Sequence, residues 1–128
     1  MTPKTVLLVD PHRDSRVVYS TVLARSGFQV LEADSDEEGL RIARAQGPDL
    51  ILTEIFPWAA AGKTLPQRFR EIPECSAIPV IALTAHLLTE EWHRELLRCC
   101  ARVLAKPLGP RRVLEEVQRV FVIPPIPG

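Results

Sequence analysis

Short runs of mostly apolar residues recur along the chain, separated by longer segments of mixed polarity. Four runs are clear and a fifth is weaker; they occupy residues 6–9, 28–31, 50–52, 80–83 and 103–105. The runs are short, rich in branched aliphatic residues and show little alternation with polar residues. Such runs are typical of strands that are buried on both faces of a parallel sheet.

The segments between the runs have the period of amphipathic helices. Gly27 is suited to the position just after the first helix, whose apolar stripe comprises Val18, Tyr19, Val22 and Leu23. Ser35 and Glu38 have the spacing of a capping box at the start of the second helix, and Gly47 ends that helix. Gly39 lies inside the second helix, where it costs about 1 kcal/mol relative to Ala, so we expect close packing at that position.

The later helices are marked by proline and by threonine. The third is confined by prolines to about residues 66–72, and Thr89 precedes a fourth helix that has acidic residues in its first turn. Pro110 opens the fifth, whose predicted buried stripe is Val113, Leu114, Val117, Val120 and Phe121. The solvent side of the fifth helix is expected to carry Arg112, Glu116 and Arg119. We therefore expect one domain over residues 1–122. The proline-rich residues 123–128 are either a loose end or the beginning of a linker.

Five strands alternating with five helices predict an α/β fold with a parallel sheet and helices on both of its faces. Right-handed crossovers and one reversal of direction give the flavodoxin-like (βα)5 arrangement, a five-stranded sheet with the order 2-1-3-4-5. In such folds the functional groups lie beyond the carboxyl ends of the strands. We therefore expect the functional residues of this chain at those ends.

Charge and composition narrow the class of protein. The 128 residues include 16 basic and 16 acidic side chains, so the formal net charge is zero. Direct nucleic-acid binding usually requires a clustered basic excess, which is not visible here. No run approaches the roughly 18 apolar residues of a membrane span, and the N-terminus lacks the layout of a signal peptide. We therefore expect a cytoplasmic protein without direct nucleic-acid or membrane contact.

The cysteines agree with a reducing compartment. Cys75, Cys99 and Cys100 are odd in number, two of them are adjacent, and no C-x-x-C spacing exists. This arrangement indicates neither a disulfide framework nor a zinc site. We expect three buried thiols that pack as small apolar side chains.

A polar group follows or ends four of the predicted strands. Asp10, Glu54, Thr84 and Lys106 should meet at one edge of the sheet, where they could handle a phosphoryl group or a cation. They lie in, or in the case of Glu54 directly after, segments that resemble, in order and spacing, the signature segments of receiver domains from bacterial response regulators. These segments are VLLVD at 6–10, PDLILT at 48–53, IPVIALTA at 78–85 and AKP at 105–107.

The resemblance implies an acidic site, but two of its acidic positions are altered here. Receivers hold Mg²⁺ with two consecutive acids after the first strand, and this chain has Asp10 followed by Pro11. The aspartate that accepts the phosphoryl group corresponds to Glu54, which we prefer because Gly62 then also falls in place. In the alternative register, Thr53 takes that position. We expect Mg²⁺ to bind weakly if at all, with no other cofactor.

The remaining positions of the family pattern are partly kept. Thr84 and Lys106 match the conserved hydroxyl and lysine of receivers, so Glu54, Thr84 and Lys106 form a degenerate phosphoacceptor site. Glu54 is either a partial mimic of the phosphorylated state or a polar residue that was retained, and Lys106 is favoured as a structural ion-pair partner of Asp10 and Glu54. Val103 stands where receivers carry an aromatic ring that rotates on activation. The resemblance also raises a cis bond before Pro107, which the sequence does not decide.

Two tryptophans and two histidines are candidates for binding. Trp58 lies in an apolar loop beyond the third strand, where it either contacts a partner or folds onto the third helix. Trp92 is expected on the face formed by the fourth helix, the fifth strand and the fifth helix, together with Val103, where receivers contact partners. His12 and His86 flank the cleft, but without a metal-binding spacing they are more typical of surface or cap residues.

The resemblance implies a receiver of two-component phosphorelay signalling rather than an enzyme. We interpret it as an atypical receiver that acts by protein–protein contact, independently of phosphorylation. Its partner would be a histidine kinase, an output domain or a second copy of the chain. The alternative is a conventional phosphoacceptor switched by a histidine kinase despite Glu54. An enzyme on the same fold is disfavoured, because residues 10–14 do not form a glycine- or hydroxyl-rich phosphate loop.

Overall fold

The five predicted strands form one parallel sheet. The computed structural model describes residues 3–55, 63–86 and 88–122. The strands are β1 Thr5–Val9, β2 Gln29–Ala33, β3 Leu50–Glu54, β4 Val80–Thr84 and β5 Arg102–Ala105. Their order in the sheet is β2-β1-β3-β4-β5, and every neighbouring pair is parallel. The predicted flavodoxin-like topology is confirmed.

One helix follows each strand. The helices are α1 Arg13–Arg25, α2 Asp36–Gln46, α3 Leu65–Arg70, α4 Glu90–Leu97 and α5 Pro110–Phe121. Helix α3 was predicted over about residues 66–72; it begins one residue earlier and ends two residues earlier, at Arg70. A capping box of Thr64 and Gln67, which we had not predicted, starts it. Among the described residues, we find no helix with the length and apolar character needed to cross a bilayer.

Two apolar cores lie on opposite faces of the sheet. The face of α2, α3 and α4 buries Leu40, Phe69 and Leu96 against alternate strand residues such as Leu7. The face of α1 and α5 buries a second set of side chains; it includes Tyr19, Leu23, Val113 and Val117 together with Val6 and Leu8. Alternation along each strand thus supplies both cores, which is why the strand runs are apolar throughout.

Some local predictions hold only in part. Tyr19 and Leu23 are buried as expected on α1, but Val18, from the same predicted stripe, is 46% exposed. The Ser35 hydroxyl accepts a hydrogen bond from the Glu38 amide, as in a capping box. The Glu38 carboxylate pairs with Arg41 on the next turn, so only half of the predicted box is formed at α2.

Gly39 allows α2 to lie close to the end of β1. A Cβ atom at this position would lie 2.9 Å from Cγ2 of Val9, closer than carbon atoms normally approach. The close packing expected from the sequence is confirmed. Since Val9 directly precedes Asp10, this contact also fixes the strand end that carries the acidic residue.

The three cysteines are free and buried, as predicted. The sulfur atoms of Cys99 and Cys100 are 4.0 Å apart, and Cys75 belongs to the same apolar core. The prediction that residues 123–128 form a tail or linker lies outside the described residues.

Candidate functional site

The predicted polar residues meet at the carboxyl edge of the sheet. Asp10 and Lys106 follow β1 and β5, whereas Glu54 and Thr84 are the last residues of β3 and β4. The three residues Asp10, Glu54 and Thr84 are 1%, 5% and 2% exposed, and the Lys106 side chain is 13% exposed. Asp10, Glu54 and Lys106 are called the strand-end cluster below.

Lys106 is the cation of this cluster. Its Nζ donates a hydrogen bond to Oε2 of Glu54 at 3.0 Å and lies 3.7 Å from Oδ2 of Asp10. The ammonium also lies 5.7 Å from the centroid of the Tyr19 ring, and the Tyr19 hydroxyl donates to the carbonyl of Leu108 at 2.9 Å. Both ion pairs favoured by the sequence are therefore present. The peptide bond after Lys106 is cis.

Asp10 has one satisfied and one unsatisfied carboxylate oxygen. Its Oδ1 accepts a hydrogen bond from the His12 amide at 2.8 Å, and Arg16 binds its backbone carbonyl at 2.7 Å. Its Oδ2 is buried and has no hydrogen-bond partner among the described residues. An unsatisfied buried oxygen is costly, so this atom can accept a proton or a cation at a gain in free energy.

The buried Glu54 carboxyl lies close to the Asp10 carboxyl and to the Lys106 ammonium. Burial raises the pKa of the Glu54 carboxyl, and the neighbouring Asp10 carboxylate raises it further, whereas the hydrogen bond from Lys106 lowers it. Two buried carboxyls share a single ammonium, so they cannot both be ionised without cost. The net direction of the Glu54 pKa is upward.

The residues of this edge do not fit Mg²⁺ well. Mg²⁺ requires oxygen ligands in near-octahedral geometry, and Pro11, which is exposed to solvent, supplies no side-chain oxygen. The ammonium of Lys106 already neutralises part of the carboxylate charge. An additional donor from the described residues is an imidazole nitrogen, because Nε2 of His12 lies 3.8 Å from Oε1 of Glu54.

Thr84 and Val103 frame a small cavity beside the cluster. The Thr84 hydroxyl accepts a hydrogen bond from the His86 amide at 3.1 Å, so it is engaged by its own turn. Val103 is half-buried and packs against the core on the α2–α4 face. The cavity has a volume of about 330 Å³ and is lined by residues that include Thr84, Leu88, His93 and Val103.

The tryptophan predictions have different outcomes. Trp92 is half-buried and lines a groove with Glu91, Glu95 and Gln67 of α3. It therefore lies on the α3 side of α4, and not on the β5 and α5 side where the sequence placed it. Its predicted role in an interface is not tested by this placement. Trp58 lies outside the described residues.

One ionic cluster was missed by the sequence analysis. Glu116 was expected on the solvent side of α5 with Arg112 and Arg119, but it is only 2% exposed. Its carboxylate forms ion pairs of 3.0 to 3.4 Å with three arginines, which are Arg102, Arg112 and Arg119. Glu116 and these three arginines are called the α5 cluster below. The i+3 and i+4 spacing of two partners was visible, but the contribution of Arg102 from β5 was not.

This chain is similar in sequence and in fold to known proteins. The family profile described as "Response regulator receiver domain" matches residues 6–118. The polar-differentiation response regulator DivK of Brucella anthropi is 27% identical over 116 residues, which cover 91% of this chain and 94% of that protein.

Solved structures agree with this match. A response regulator from Desulfuromonas acetoxidans superposes with a TM-score of 0.81 at 26% identity, over 91% of this chain and 95% of its own. The chemotaxis response regulator CheY4 of Vibrio cholerae gives the same TM-score at 25% identity, over 94% of this chain and 100% of its own. The chain therefore belongs to the response-regulator receiver family, the signalling modules of two-component systems that interact with kinases and output domains.

Proposed function

We propose that this receiver is not switched by phosphorylation and that it acts through constant protein–protein contact. The observation that carries the proposal is the hydrogen bond of 3.0 Å between Lys106 and Glu54. The side chain at the phosphoacceptor position is buried and already bound to the lysine that would otherwise meet the phosphoryl group. An ion pair inside the chain takes the place of the modification.

The chemistry of phosphoryl transfer supports this proposal. A nucleophilic carboxylate must be ionised and aligned with the phosphorus atom, and a metal must neutralise the transferred oxygens. Glu projects its oxygens about 1.5 Å further than Asp, roughly one C–C bond. A misplacement of about 1 Å can reduce a rate by roughly 10²-fold. Pro11 provides no metal ligand.

The absence of an aromatic ring at position 103 supports a single conformational state. Val103 is short and branched, and it is held against the core, so it cannot exchange between buried and exposed positions as a ring would. A receiver of this kind would present one fixed surface in the cytoplasm to a histidine kinase, an output domain or a second copy of itself. Phosphodonor and Mg²⁺ would not alter that surface.

Intact-mass spectrometry after incubation with acetyl phosphate and Mg²⁺ tests the proposal. We expect no phosphoryl adduct on the wild-type chain. The double variant P11D/E54D restores both acidic positions of the family pattern and serves as the matched control, in which an adduct should appear. A Mg²⁺-dependent adduct on the wild type that disappears in E54Q would overturn the proposal in favour of a conventional phosphoacceptor.

Trp92 gives a test of the contact surface. In a complex where this side chain is a hot spot, Trp92→Ala should weaken association by about 2 kcal/mol. The fold should survive, because the fully buried residue of α4 is Leu96. Sedimentation with and without acetyl phosphate measures the association and its response to the phosphodonor. Leu97→Ala, at a residue on α4 that is 49% exposed, is the control. Equal association of the wild type and Trp92→Ala would direct attention to the loop that contains Trp58.

A further inference from the structure

Three potential ligand atoms from three side chains converge beside the strand-end cluster. Asp10, His12 and Glu54 each offer one such atom, and these atoms all lie within 4.8 Å of one another. Asp10 Oδ2 is the buried oxygen without a hydrogen-bond partner in the described part of the chain. Nε2 of His12 lies 3.8 Å from Oε1 of Glu54, whereas Lys106 binds the other oxygen, Oε2.

We propose that Asp10, His12 and Glu54 form a binding site for a d-block divalent cation, with Zn²⁺ as the best fit. Imidazole nitrogen is a good ligand for zinc and its neighbours in the periodic table, whereas Mg²⁺ prefers oxygen alone. Two carboxylates and one imidazole leave the fourth position of a tetrahedral ion open. Zinc bonds of about 2.0 Å hold the ligand atoms roughly 3.3 Å apart in such a site, so only a small closure is required.

The surrounding contacts prepare the site for this closure. The hydrogen bond from the His12 amide orients the Asp10 carboxylate, and Arg16 fixes the backbone of Asp10. Lys106, which binds the other oxygen of Glu54, acts in the opposite direction, because its positive charge competes with an arriving cation. The His12 side chain is 57% exposed, so it can rotate onto an ion that arrives from solvent. Loss of outer contacts such as those from the His12 amide and from Arg16 typically weakens metal binding by about 10- to 100-fold.

The test of this site does not depend on whether the domain accepts a phosphoryl group, although Glu54 belongs to both proposals. Metal affinity is measured without any phosphodonor, so the failure of one proposal leaves the other standing. A chain that binds Zn²⁺ and forms no adduct satisfies both. A chain that forms an adduct with Mg²⁺ and binds Zn²⁺ through His12 contradicts only the phosphorylation-independent function.

The experiment is a titration of the untagged protein with Zn²⁺ and, separately, with Mg²⁺, followed by calorimetry or by competition with a chromophoric chelator. We expect Zn²⁺ to bind more tightly than Mg²⁺. His12→Ala should weaken Zn²⁺ binding by at least about tenfold, since loss of a ligand exceeds the usual cost of losing an outer contact. His93→Ala, which removes an exposed imidazole from α4, should leave the affinity unchanged.

Two further measurements locate the ion. Lys106→Met removes a competing positive charge 3.0 Å from Glu54, so Zn²⁺ should bind more tightly to that variant. Co²⁺ should give the weak visible bands of oxygen and nitrogen ligation. A thiolate charge-transfer band would assign the metal to the cysteines and overturn the proposal. Equal affinities for Zn²⁺ and Mg²⁺, unchanged Zn²⁺ affinity in His12→Ala, or no tighter Zn²⁺ binding in Lys106→Met would also overturn it.

Discussion

The strand-end cluster and the α5 cluster both contain buried carboxylates. The first has more acidic than basic groups, and the second has more basic than acidic groups. At the strand ends, the carboxyls of Asp10 and Glu54 share one ammonium. On α5, the single carboxylate of Glu116 is shared by three arginines. The first cluster has too little positive charge to neutralise both carboxyls, and the second has more positive charge than its carboxylate can neutralise.

The two imbalances are relieved by different means. The side chains of the three arginines are about half exposed, so water solvates the excess positive charge while their stems cover Glu116. The strand-end carboxyls are almost completely buried, and water cannot do the same for them. They must take up a proton or a cation instead, which is why chemistry is expected at the sheet edge and not on α5.

Removal of Lys106 should have the largest effect on stability. Lys106→Met leaves two buried carboxyls without a cation, and breaking a buried pair in this way costs about 3 kcal/mol or more. The loss should shrink at acidic pH, where a protonated carboxyl no longer needs a cation. Denaturant unfolding at neutral and acidic pH measures both.

The control for this experiment is an exposed lysine. Lys63→Met removes an ion pair with Glu71 in which both side chains are more than half exposed, so it should cost less than about 1 kcal/mol. Equal losses in the two variants would show that the strand-end cluster is no more dependent on its cation than the protein surface is.

Glu116→Gln should have an intermediate effect. The substitution keeps the size of the side chain, but it removes the anion shared by three guanidinium groups and leaves, among the described residues, only Arg112 with another carboxylate, that of Glu115. We expect a loss of about 2 kcal/mol, below the usual cost of breaking a buried pair because the arginines remain partly solvated. Added salt should reduce the loss by screening the arginines.

Glu115→Gln is the matched control on the same helix. Glu115 is 46% exposed and contacts Arg112 at 3.8 Å, so its replacement should change the free energy of unfolding by less than about 1 kcal/mol. A similar small change in both variants would mean that the α5 cluster behaves as an ordinary surface network.

The smallest expected effect is a change in the pH dependence of stability. The pKa of Glu54 is raised above its ordinary value of 4.5 in the folded chain, so folding favours the bound proton. That contribution is complete below the unfolded pKa and is lost as pH rises through the folded pKa. Glu54→Gln cannot ionise, so its free energy of unfolding should improve relative to wild type as pH rises above 4.5.

The exposed variant Glu71→Gln provides the baseline for this comparison, because its side chain is 57% exposed. Unfolding is measured for all three chains across the acidic range. A difference between wild type and Glu54→Gln that does not vary with pH would contradict the raised pKa.

The sheet could be predicted from the sequence because its signals are local. Each strand is a short apolar run, and the two ends of α2 are marked by Ser35 and Gly47. The polar cluster was also predictable, since the carboxyl ends of parallel strands meet at one edge. The start of α3 was missed, although Thr64 and Gln67 have the spacing of a capping box.

The remaining features depend on neighbours that are distant in sequence. Glu116 was expected on the solvent side of α5, and one of its partners, Arg102, comes from β5 and is distant in sequence. The direction of Trp92 is decided by α3, whose Gln67 lines the same groove. The unsatisfied oxygen of Asp10 depends on how far Lys106 reaches, which a sequence does not specify.

The contact between Lys106 and Tyr19 provides an optical signal from inside the site. Tyr19 is the one tyrosine among the 128 residues, and its ring lies 5.7 Å from the ammonium. The absorbance change that accompanies ionisation of its phenol therefore reports on a single location without any label, since the two tryptophans do not ionise in this range. Burial raises the pKa of Tyr19, and the lysine opposes this effect. A displaced ammonium would shift the alkaline titration of the phenol upward, and a fluorotyrosine at this position would show the same displacement by ¹⁹F resonance.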